Sequence, residues 1–164
     1  MRFLRTDFGK VHAATAAFAL VNVLLALALK AGLMRGGLYP IAVTVHVVAG
    51  FLILPTLLLL PLAFPTHTKI YRAMRAKLLL NRRDLAQKNA PVIAAKTVTM
   101  LMALGFVSQT VTALLLRTGL AYRWFPTLDV YAFHTAFVFV LPVLVLLHPI
   151  LMLLAHRRKT AKGK

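Results

Sequence analysis

Four of the six histidines in this 164-residue chain, His12, His46, His134 and His148, fall inside long apolar runs. An imidazole is costly to hold among hydrocarbon groups unless a partner takes up its polar nitrogens. Its lone pair can ligate a metal, and its proton can move near neutral pH. A single such histidine is well explained as a packing residue hydrogen-bonded to a neighbouring helix. Four of them require an arrangement, and the elements that carry them define it. His67 and His156 fall at the polar edges of the runs and read as solvated.

The carriers are four apolar helices at about residues 6–29, 39–64, 92–116 and 128–155, together forming one membrane domain over 1–164. The chain is 60% hydrophobic with a mean hydropathy of +0.81, more apolar surface than a water-soluble domain of this length can hide. A bilayer-crossing helix needs about 20 mostly apolar residues, and each run is long enough. The first lacks a short apolar core followed by a small-residue cleavage site, so it reads as a retained helix. The expected fold class is therefore all-α, an integral membrane four-helix bundle.

The net charge is +17, from 20 Lys and Arg against three acids. Such a balance can signal nucleic acid, but here the basic residues stand between apolar runs, where they set orientation, and nucleic acid is excluded as a partner. The amino-terminal tail, the polar connection 65–91 with Lys96 at its helix junction, and the carboxyl tail hold 16 of the 20. The short connections hold only Lys30, Arg35, Arg117 and Arg123. The positive-inside rule puts both termini and the loop 65–91 in the cytoplasm, which an even number of spans allows. Within that loop, Ile70, Met74 and the Lys77-Leu78 pair predict a short amphipathic helix on the membrane surface. The absence of cysteine excludes disulfides, thiolate-held iron–sulfur clusters and covalent haem attachment.

This topology assigns depths. His46 and His134 fall near the outer face, His12 and His148 nearer the cytoplasm. His12 reaches the level of His148 only if the first helix starts near Thr6 or Asp7. Fourteen residues separate His134 from His148, which places them within roughly 40° of one helix face and about 21 Å apart along it. One helix thus presents two imidazoles at two depths, each with a matching imidazole on another helix. Two haems, one towards each membrane face, need that arrangement. Structural zinc would need four ligands gathered together. The acids Asp7, Asp84 and Asp129 stand at or outside helix ends, which argues against a carboxylate-based pump.

Gly50 and Ala16 lie four residues after His46 and His12, where a porphyrin edge could rest on a helix face without a bulky side chain. Arg117 and Arg123, with Trp124, flank the outer pair and are candidate propionate partners or interface anchors. Lys96 is a candidate for a quinone or a propionate at the inner side, or a lysine reaching out to the interface. Asn22 and the Ser108-Gln109-Thr110 stretch read as interhelical hydrogen-bonding residues.

One histidine at the start of the first helix, one early in the second, none in the third and two separated by fourteen in the fourth resembles the bacterial di-haem four-helix cytochromes b. These include prokaryotic cytochrome b561 and the cytochrome b subunits of membrane formate dehydrogenases and nickel–iron hydrogenases. The interval of 34 residues from His12 to His46 is similar to the compact cytochrome b561 type. The resemblance implies two haem b groups, ligated by His12 with His148 and by His46 with His134. It further implies quinone chemistry beside one of them and residence in the bacterial inner (cytoplasmic) membrane. Electrons would be exchanged with quinone either as a subunit of a dehydrogenase or other respiratory complex or by the chain alone. The sequence departs from the family at Ala13, where tryptophan often follows the first histidine. Pro149, directly after His148, is a second departure, and it leads to the expectation of a local kink at His148. A haem-free membrane scaffold or transporter is the reading from a different class.

Overall fold

Thr6 opens the first helix: its Oγ1 accepts from Gly9 N at 3.0 Å, which satisfies one of the orphan donors at a helix start. In this computed structural model, helix α1 runs Asp7–Lys30 and α2 Leu38–Leu58, followed by a 3₁₀ turn at Leu60–Ala63. Helix α3 spans His67–Leu78, α4 Ala90–Thr118, α5 Leu120–Trp124 and α6 Val130–Lys162. The structure describes residues 5–80 and 90–162, with side chains as far as 155. Arg2, the loop residues Arg82, Arg83, Asp84 and Lys88, His156 and the basic carboxyl tail therefore lie outside the described side chains.

All the regular structure among the described residues is helical, with no strand among them, and α1, α2, α4 and the Val130–Ala155 part of α6 are each long and apolar enough to cross a membrane. This is the build of a multi-pass membrane protein. Its surface agrees: Leu104 and Leu146 are 64% and 66% exposed on helices that carry few charges. In such a fold, lipid covers the outward side chains and every span closes its own backbone hydrogen bonds.

Local chemistry ends each helix. Gly32, with φ of 67°, takes the left-handed position after α1, where Leu33 N bonds back to Ala28 O at 3.0 Å and Gly32 N to Leu29 O at 3.1 Å. That pair of bonds is the glycine stop of a helix, and it turns the chain tightly into α2. The helix expected over 39–64 stops at Leu58. Pro61 has no N–H to continue the ladder and disfavours helical geometry at Leu60, so the chain tightens into the 3₁₀ turn. Helix α6, by contrast, continues through Pro142 and Pro149.

The spans assemble as two antiparallel hairpins. Helices α1 and α2 pack extensively on each other, as do α4 and α6, while the contacts of α1 with α6 and of α2 with α4 are sparser. Ala19, Val23, Ile53, Phe106 and Leu141 form the buried centre, with Phe18, Met102 and Phe137 against it. Leu141 lies midway between His134 and His148, so this apolar layer separates two polar levels.

Helix α3 closes one end of the bundle. Ile70 is 2% exposed. Tyr71 OH donates to Leu58 O, the last carbonyl of α2, and Thr66 Oγ1 donates to Asp7 Oδ2 at 2.6 Å. This will be called the α3 end, and the end carrying Gly32 and α5 the turn end.

Helices α4 and α6 meet at Gly105. A Cβ there would stand 2.8 Å from Leu141 Cδ2 and 3.6 Å from Phe137 Cε1. Gly105→Leu is therefore expected to lower unfolding stability in detergent by about 1–3 kcal/mol. Gly37→Ala, with nothing within 4 Å of the added carbon, should leave the unfolding midpoint unchanged.

Candidate functional site

The four membrane histidines gather in two levels. At the α3 end, His12 of α1 faces His148 of α6, with ring centroids 6.3 Å apart and planes tilted by 54°. Because α1 begins at Asp7, His12 lies in its second turn, which brings it level with His148. At the turn end, His46 of α2 and His134 of α6 line one cavity of about 20 Å³. Asn22, Gln109, Phe137 and Pro142 complete much of its wall, so all four spans contribute. His12 is exposed on the bundle flank, and the other three are half-buried.

Each of three histidines has Nδ1 engaged by a neighbouring helix. His46 Nδ1 donates to the main-chain Asn22 O at 3.1 Å. His134 Nδ1 lies 2.8 Å from Thr112 Oγ1, and His148 Nδ1 3.1 Å from Thr99 Oγ1. The two histidines of the turn end are also held by their backbone. Asn22 Nδ2 donates to His46 O at 2.8 Å, and Gln109 Nε2 donates to His134 O at 3.1 Å. An amide side chain from the partner helix of each hairpin thus clasps the carbonyl of its histidine. These are the interhelical bonds expected of polar groups with no water to turn to.

Gly50 makes the first clasp possible. A Cβ on Gly50 would stand 2.8 Å from Asn22 Nδ2. The space expected to take a porphyrin edge is thus filled by the Asn22 amide, drawn there by the His46 carbonyl.

At the α3 end, Phe8 stacks on His12 at 6.0 Å between centroids and 10° between planes. Lys77 Nζ stands 4.2 Å from the Phe8 ring centroid, a cation–π contact. Partial burial holds the Lys77 ammonium below the usual lysine range, because desolvation disfavours its charge. Lys96 instead donates to Leu79 O at 3.3 Å, tying α4 to the end of α3. Arg117, in the last turn of α4, and Arg123, in α5, are exposed at the turn end. His67 Nδ1 donates to Phe64 O at 3.3 Å within its own turn.

Thr99, Thr112 and Phe8 carry no mark in the sequence that singles them out, and Lys77 is marked there only as part of an amphipathic helix. The register of the α4–α6 pair does mark the threonines. From the Gly105–Leu141 crossing, seven residues onward along α4 and seven back along α6 lead to Thr112 and His134. Six back and seven onward lead to Thr99 and His148.

The donor set discriminates among metals. Among the described residues, no three His, Cys, Asp or Glu side chains gather to hold an ion, so a tetrahedral zinc cage does not fit. Two facing imidazoles fit a metal whose other positions are filled by a macrocycle. Bonded on opposite sides of one iron at about 2 Å each, two imidazoles put their ring centroids about 6 Å apart. The His12–His148 separation has that value.

Comparison with known proteins gives no match to a family model, to a curated protein or to a solved structure.

Asn22 and Gly50 act on one interaction. Asn22→Ala should cost about 0.5–1.5 kcal/mol of unfolding stability, the scale of one interhelical hydrogen bond. Gly50→Ala should cost a comparable amount by displacing the amide. The double variant should cost clearly less than the sum of the two, as a double-mutant cycle of denaturant unfolding will measure.

Proposed function

We propose that this chain is a transmembrane electron carrier that binds two b-type haems, one between His12 and His148 and one between His46 and His134. The observation that carries this reading is the facing of His12 and His148, 6.3 Å apart, from helices distant in sequence. The second level supports it, because His46 and His134 reach one cavity from different hairpins. The haems would supply the one-electron chemistry. The protein would hold them at two fixed depths, orient their ligands and keep water from the apolar layer around Leu141. In this reading the α3 end faces the cytoplasm of a bacterial cell, quinone is the small-molecule redox partner, and a dehydrogenase or other respiratory subunit is the protein partner.

The cavity between His46 and His134 favours a second reading. At about 20 Å³ it admits a single water, and binding a macrocycle there requires the hairpins to part along their sparser contacts. A haem-free bundle, acting as scaffold or transporter subunit, would keep it closed.

The absorption spectrum of the full chain in mild detergent separates the two. Dithionite should produce the sharp bands of low-spin b haem, and pyridine haemochrome should give about two haems per chain. His134→Ala should remove one haem and keep the other, and His148→Ala should remove the other. A colourless, folded protein would establish the second reading, and loss of neither haem in these variants would refute the pairing.

A further inference from the structure

Among the described residues, Thr112 is the polar side chain that the fold buries, at 8% exposed. Its single hydroxyl hydrogen has two carbonyl acceptors on its own helix, Ser108 O at 2.9 Å and Gln109 O at 3.1 Å. A hydroxyl hydrogen spent on the helix leaves lone pairs at Oγ1. The 2.8 Å contact with His134 Nδ1 is then a hydrogen bond only if the ring proton is on Nδ1. Thr99 repeats the pattern. Its Oγ1 donates to Ala95 O at 2.7 Å and stands 3.1 Å from His148 Nδ1. On α2 the same result follows from a carbonyl, which can only accept: His46 Nδ1 must carry a proton to bond Asn22 O.

We propose that Thr112 and Thr99 are positioning residues that fix His134 and His148 in the Nδ1–H tautomer and so leave Nε2 as the unprotonated donor nitrogen. A neutral imidazole has one donor and one acceptor nitrogen, so naming the first names the second. Three of the four membrane histidines are thereby set in one protonation pattern by neighbouring helices. The hydroxyl acceptor also increases the electron-donating power of the ring, as the outer partner of a metal-bound histidine does. The role towards iron rests on the electron-carrier reading; the tautomer does not.

The test uses the full-length chain with ¹⁵N-labelled histidine, in detergent and reduced with dithionite so that any low-spin iron is diamagnetic. Ring N–H signals from Nδ1 of His134 and His148, slow to exchange with water, are expected. Thr112→Val should speed exchange and shift the signal of His134 alone, and Thr112→Ser should restore it. Thr99→Val should do the same to His148. In haem-bearing protein, Thr112→Val should raise the midpoint potential of the haem lost in His134→Ala, because the oxidised iron loses ligand electron density, with Thr112→Ser returning it. A ring proton on Nε2 of His134 or His148 in the unmodified chain would overturn the proposal. So would valine variants with unaltered ring signals. Nδ1–H signals in a chain that binds no haem would sink the electron-carrier reading and leave the tautomer assignment standing.

Discussion

A polar group inside a lipid-crossing bundle must find its partner in the protein, because hydrocarbon offers none. That constraint organises the interior of this chain. An unpaired imidazole in an apolar medium costs several times what a hydrogen bond returns in water, so the histidines dictate what stands beside them. Asn22 serves His46 twice, through its amide and through its main-chain carbonyl. Gln109 and Thr112 divide the same two tasks at His134. Gly50 is small because the Asn22 amide needs its space. These residues form a set, and altering one changes the demands on the others.

The membrane histidines stand at two levels with an apolar layer between them. Ala19, Val23, Ile53, Phe106 and Leu141 form that layer. In the proposed electron-carrier reading the separation would have a consequence. Fixed donors at two depths in a low-dielectric interior can hold two redox centres apart while the protein between them excludes water. The hairpins α1–α2 and α4–α6 are internally tight and meet more sparsely. The histidine levels lie where they meet, so a ligand would be gripped between two preformed units.

Helix α3 gives the bundle an end. The Tyr71 bond to the last carbonyl of α2 and the Thr66–Asp7 bond fasten it to the first hairpin, and the Lys96 bond to Leu79 O ties it to α4. It also brings Lys77 over Phe8, and Phe8 over His12. The most open of the four histidines is thus flanked by an aromatic ring and a cation. The sequence puts Lys77 on an amphipathic helix; only the docking of that helix puts it near His12.

The four spans, the amphipathic segment around Ile70 and the sorting of the four histidines into two levels were legible in the sequence. They depend on run length, on charge between runs and on the rise and turn of a helix, all local or additive properties. The helix expected through Phe64 ended at Leu58 because a proline three residues further on overrides hydropathy, which reads solvent preference and not hydrogen-bond continuity. Thr99, Thr112 and the facing of Gly50 towards Asn22 were hidden. A threonine in an apolar helix looks alike whether it bonds only its own backbone or also a ring on the next helix, and which it does depends on the interhelical register. The sequence by itself determined that imidazoles stand at two depths in a membrane bundle. Only the tertiary structure decided which neighbour engages each ring and at which nitrogen, because a hydrogen bond between helices depends on ångström-scale register that no single helix encodes.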